Sequence, residues 1–231
     1  MANPLSDSLS DPSLSVPAWW TRDGVVASFV FGIALVVRLL HFREISLHDP
    51  FFTIGSVDGQ IYDEWARQLL AGDWLGKGVL YLGPLYPIFI AAVYSVFGED
   101  LPVLKLVQAV LGAATCVLVW GLARELFDRR VAALSGMIAA LYGMLIFYGG
   151  TVMLVNLQVP LVLACGWSAL RALRRPGFAR WALCGGILGL SVLARQTVLL
   201  IAPIVAAWIV FGAKGPEAFV DDSPGARPSV A

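Results

Sequence analysis

Charge is what this sequence has least of. Only 14% of its 231 residues are Asp, Glu, Lys or Arg, where a soluble domain carries roughly 25%. The 16 basic and 16 acidic side chains cancel. That excludes the bulk attraction which draws basic proteins to nucleic acid. Cysteine is scarce as well: Cys116, Cys165 and Cys184 all lie in apolar runs, without CxxC spacing or a histidine beside them. That pattern suggests neither a disulfide framework nor a zinc site and favours small buried apolar side chains. His41 and His48 stand seven apart, which is not the spacing of a helical metal-ligand pair.

What fills the chain instead is hydrocarbon. Hydrophobic residues make up 58% of it, and the mean hydropathy is +0.78. A membrane-crossing helix needs about 20 apolar residues, because each adds about 1.5 Å across a core about 30 Å thick. Candidate runs occupy 24–42, 101–123, 131–149 and 152–170, with a long run over 181–212 interrupted by Arg195. The expectation is an all-α, polytopic helical membrane protein. Residues 1–22, rich in Ser and Pro and without the features of a signal peptide, predict a disordered tail. Residues 23–212 form the membrane module, and 213–231 a second tail.

The few charges orient these runs. Arg22, the "ARELFDRR" segment and the "RALRRPGFAR" segment belong on the cytoplasmic side by the positive-inside rule. All three reach that side only if 83–98, with Pro84 and Pro87 near its start, lies in the outer face without crossing. Residues 43–100 then become one external loop that carries eight carboxylates against Arg43, Arg67 and Lys77. The 181–212 run reads as two short helices meeting at the outer face around Arg195.

Within that loop, "SVDGQIYDEWARQLLAGDW" reads as an amphipathic surface helix. Asp58, Tyr62, Trp65 and Leu69 share a face at i, i+4, i+7 and i+11, with Asp63 and Glu64 turned to water. Asp58 has two readings: a cap on the helix N-terminus, or a base facing a lipid-borne substrate. Arg195 has two as well, snorkelling to headgroups or holding a phosphate bidentately. A buried charge there costs several kcal/mol unless it is paired.

Five segments taken in order, "VDGQIYDEWARQLLAGDW", "GPLYPIFIAAVYSVFG", "LVQAVLGAATCVLVWGLARELFDRR", "AALYGMLIFYGG" and "GLSVLARQTVLLIAP", carry a resemblance. The chain resembles C-type polyprenyl-phosphate-sugar-dependent glycosyltransferases. Among them it is most similar to the bacterial dolichyl-phosphate-mannose–protein mannosyltransferase-like proteins, a group that includes aminoarabinose transferases. The family's first external loop carries an aspartate followed four residues later by tyrosine, matched by Asp58 and Tyr62. The resemblance implies that Asp58 is the catalytic base and that Tyr62, Tyr86 and Arg195 contact the donor, a sugar on polyprenyl phosphate. It also implies an acceptor protein or glycolipid and a bacterial inner membrane with the first loop external. It names no cofactor and leaves dependence on a divalent metal open.

Two departures accompany the resemblance. The acidic residue that relatives often carry after the third span is absent from "YGGTVMLVNLQ". Relatives are also about twice as long, so this chain is expected to be their N-terminal module. Two other function classes compete: a transporter of lipid-linked sugar, which predicts broken spans with charges near mid-membrane, and a non-catalytic anchoring or assembly subunit.

Overall fold

A computed structural model of the chain describes residues 23–50, 52, 57–73 and 82–200, together with Pro203 and Ala207. The two expected tails lie outside the described residues. Every regular element among those described is helical: α1 (Asp23–His48), α2 (Val57–Leu70), α3 (Leu85–Phe97), α4 (Leu101–Leu126), α5 (Arg129–Leu141), α6 (Gly143–Gly149), α7 (Val155–Arg174), α8 (Phe178–Ala194) and a 3-10 turn (Gln196–Leu200).

Two of these helices are long and apolar enough to cross a bilayer. They are α1 and α4, each of 26 residues, with mean hydropathies of 2.2 and 2.0; at about 1.5 Å per residue each reaches about 39 Å. α4 is the central one, packing on α1, α5 and α7. The expected single span over 131–149 is instead two helices, α5 and α6, bent by 50° at the break. The bend is at Tyr142, whose backbone is extended (φ −70°, ψ 111°), and glycine follows it at 143. If each bent pair is one span, the count of crossing helices rises to three.

Charge separates the two ends of the bundle. At one end Asp23 of α1 pairs with Arg129 at 2.9 Å and lies 3.5 Å from Arg124. Glu125 of α4 takes Arg171 at 3.0 Å and Arg174 at 2.6 Å, and accepts the Trp167 indole N–H. These contacts place the start of α1 beside the ends of α4 and α7. The opposite end holds α2, α3 and the acidic residues between Glu44 and Asp100. There Lys105 of α4 donates to the Phe52 carbonyl at 2.7 Å and sits 4.1 Å from the centre of that ring. The chain leaving α1 is thereby tied to α4 just before α2 begins.

α3 is 13 residues long, and at about 1.5 Å per residue it covers about 20 Å, too little for a span. It lies against α2 and also touches α4 and α8. Tyr62, Ala66, Tyr86, Ile90, Tyr94, Leu104 and Val152 form one core between them. A second core, from Val30 and Ala34 through Ala113 and Cys116 to Ala140, joins α1, α4 and α5.

Candidate active site at the acidic end

α2 buries Gly59, Tyr62 and Ala66, with Leu69 packed at the edge of the same core. That stripe is rotated from the expected Asp58–Tyr62–Trp65–Leu69 face, because α3 packs along one side of the helix. Asp58 is exposed in the first turn of α2, where a negative charge is favoured by the helix dipole. It is the second helical residue, two places further along than a cap would be.

Tyr62 lies between Asp58 and the interior. It is 4% exposed, and its ring meets Tyr86 edge-on, with centroids 4.9 Å apart and planes at 88°. Such a pair contributes about 0.5–1.5 kcal/mol beyond its buried area. Burial raises the Tyr62 pKa above the usual phenol value; Asp58 raises it further and Arg195 lowers it. Two charges from far apart in the sequence therefore both lie within electrostatic range of one phenol.

Arg195 gets there because α8 stops at Ala194. The arginine itself is extended (φ −147°, ψ 115°), and the 3-10 turn follows it. This is the break expected at Arg195, although the second helix of that pair lies largely outside the described residues. Gly83, just ahead of α3, packs directly on the α8 terminus. A Cβ added there would stand 2.0 Å from the Ala194 carbonyl oxygen and 2.5 Å from that of Leu193. Only a residue without a side chain lets the two segments meet.

Tyr86, expected among the donor contacts, is fully buried beneath Tyr62. Burial raises its pKa above the phenol range, Tyr62 adds to the rise, and Gln108, Asn156 and the Met153 backbone pull it down. None of these neighbours closes a well-formed hydrogen bond on its hydroxyl. Asn156 hydrogen-bonds Gln108 and donates to the carbonyls of Tyr148 at 2.9 Å and Thr151 at 2.8 Å. A floor of amide and carbonyl groups thus lies under the aromatic pair.

Asp63 corrects its expected place among the solvated carboxylates. It accepts the Tyr94 hydroxyl of α3 and the Arg67 guanidinium at 3.0 Å. Arg67 in turn pairs with Glu99 and lies 5.7 Å from the Tyr94 ring centre. The hydrogen bond to Asp63 raises the Arg67 pKa; burial, followed by Tyr94's own hydrogen bond to Asp63, raises the Tyr94 pKa. Sequence reasoning missed this clamp because Tyr94 lies 31 residues from its partner. Among the described residues, no three metal-binding side chains come together.

An all-helical bundle with long apolar helices is the architecture of an integral membrane protein. A family model for dolichyl-phosphate-mannose-protein mannosyltransferases matches residues 82–221, and the chain belongs to that family. It is accordingly a membrane glycosyltransferase of that kind. The match covers Tyr86 and Arg195; Asp58 and Tyr62 precede it. No curated protein and no solved structure matches the chain.

Proposed function

We propose that the protein transfers a sugar from a polyprenyl-phosphate donor to an acceptor protein or glycolipid, with inversion, at the outer face of a bacterial inner membrane. The basic end, carrying Arg124, Arg129, Arg171 and Arg174, faces the cytoplasm. The acidic end faces out, where the polar head of a lipid-linked sugar is exposed.

The observation that supports this reading best is the convergence of Asp58 and Arg195 on Tyr62. A single displacement needs a base and an anion-stabilising cation on either side of the reacting carbon. Asp58 accepts the proton of the acceptor hydroxyl or amine as that atom forms its bond to the anomeric carbon. The bond between the anomeric carbon and the phosphate oxygen breaks, and polyprenyl phosphate departs with the electron pair. Arg195 stabilises the phosphate charge as the bond breaks, with fork geometry suited to two oxygens. Tyr62 forms the wall between them, and Tyr86 orients Tyr62 from beneath. A positioned base contributes roughly 10²–10⁴ in rate.

The test is lipid binding by the full chain in nanodiscs, with polyprenyl phosphate itself as probe. Arg195→Gln is expected to weaken binding at least about tenfold, a loss of about 1.4 kcal/mol, without changing the amount of folded protein. Equal binding by the parent and the variant would remove the phosphate role and leave Arg195 to the headgroups.

A further inference from the structure

Arg38 lies deep in the bundle, 2% exposed. Its Nη1 donates to the Ala34 carbonyl at 3.0 Å and its Nη2 to the Cys116 sulfur at 3.4 Å, while its Nε has no partner. Among the described residues no carboxylate forms an ion pair with it. Cys116 accepts from Arg38, and its sulfur also lies 3.4 Å from the Gly112 carbonyl oxygen, a contact that suits a thiol and disfavours a thiolate. A guanidinium buried without a counter-charge costs several kcal/mol.

Beside Arg38, helices α1, α4, α6 and α7 border a partly open cavity of about 30 Å³, lined by Arg38, Thr115, Tyr148 and Asn156 among apolar walls from Leu145, Val155 and Val159. One water needs roughly 10–15 Å³ measured in this way, so the space holds about two water-sized species. The polar groups divide into two sets. Thr115 already donates to the Leu111 carbonyl at 2.8 Å, so it offers the cavity only lone pairs. Pro160, within α7, has no N–H for the Asn156 carbonyl to accept. Those acceptors suit a water; Arg38, the unspent donor, suits an anion.

We propose that this cavity is a binding site for one halide-sized, monovalent anion, held on the Arg38 guanidinium with a single water beside it. The anion neutralises the buried charge and joins α1, α4 and α7 below the acidic end. The apolar walls and the weakly hydrated guanidinium favour an anion that sheds water readily, so bromide binds more tightly than chloride and fluoride hardly at all. The site is separate from the phosphate role proposed for Arg195 and does not depend on it.

The test is the thermal midpoint of the purified full chain in nanodiscs, titrated with sodium bromide, chloride, fluoride or gluconate at constant ionic strength. A saturable rise is expected with bromide and chloride, at lower concentration for bromide, and none with gluconate. Arg38→Leu removes the charge and abolishes the halide dependence. Gly112→Ala provides a second variant: its methyl would stand 2.7 Å from Arg38 Nε, crowding the site and weakening halide binding at least about tenfold while the arginine remains. Should Arg38→Leu fail to fold, the parent protein and Gly112→Ala still decide. Equal midpoints in halide and gluconate would overturn the proposal in favour of water alone. A halide effect unchanged in either variant would place the ion elsewhere and overturn it equally.

Discussion

Gly83 and Ala194 touch backbone to backbone, at a spacing where the missing Cβ of Gly83 would lie 2.0 Å from the Ala194 carbonyl oxygen. This contact fixes the start of α3 on the end of α8. It thereby holds Arg195, the residue after Ala194, within electrostatic range of Tyr62.

Gly83→Ala therefore strikes the site through the backbone. A methyl group at this spacing cannot be absorbed by a rotamer change, because what it meets is main chain. Overpacking of this kind costs about 1–3 kcal/mol. The variant is expected to melt earlier than the parent and to lose polyprenyl-phosphate binding as Arg195 does when substituted. Gly185→Ala, within α8 and with nothing within 4 Å of its added Cβ, should bind and melt as the parent does. Parental binding and melting by Gly83→Ala would show that the junction does not position Arg195.

The Asp63–Tyr94 contact holds α2 on α3, and with it the orientation of Asp58. Hydrogen bonds to charged groups contribute about 1.5–3 kcal/mol when sheltered and less when water reaches them. Tyr94→Phe and Asp63→Asn are each expected to lower turnover about threefold to tenfold. Amide hydrogen exchange over 57–70 should also speed up. The double variant should be no worse than Asp63→Asn alone, which also loses the Arg67 ion pair, since the Tyr94–Asp63 contact is common to both changes. Additive losses would mean that the two residues act separately.

The charge separation between the ends predicts a topology. In a background with Cys116, Cys165 and Cys184 replaced, single cysteines at Gln60 and Glu64 should react with an impermeant thiol reagent added outside intact cells. Cysteines at Arg175 and Gly177 should react only after the membrane is opened. Labelling of Gly177→Cys from outside would invert the orientation and put Asp58 in the cytoplasm.

Much of the fold was legible because spans are written in composition. An apolar run such as 101–123 has few structures available to it in lipid, and the Arg195 interruption marks where α8 ends. The bend at Tyr142 was not legible, since nothing in "AALYGMLIFYGG" lacks a backbone donor. At the site, Tyr62 could be placed on the buried face from helical spacing alone. The role of Asp63 could not, because that depends on which flank of α2 is covered by α3. The cavity beside Arg38 emerges only when four helices pack. Gly83 had the clearest unused signal: a glycine ahead of "PLYP" stands where a close backbone approach is common.

Asp58→Asn separates chemistry from structure most directly. Asp58 is exposed and sits inside the first turn of α2, so the isosteric amide disturbs no packing. The change removes a charge whose interaction with the helix dipole is worth about 0.3–1 kcal/mol, too little to unfold the protein. If Asp58 takes the acceptor's proton, asparagine cannot, and turnover per membrane-inserted molecule should fall at least about a hundredfold. Binding of polyprenyl phosphate should stay near the parent value, because Arg195 is untouched; this distinguishes loss of the base from loss of the donor site. Asp58→Glu keeps a proton acceptor at a shifted position and should retain part of the activity. Near-normal turnover in Asp58→Asn would return the residue to the role of a favourable charge at a helix start, and the base would have to come from elsewhere in the chain.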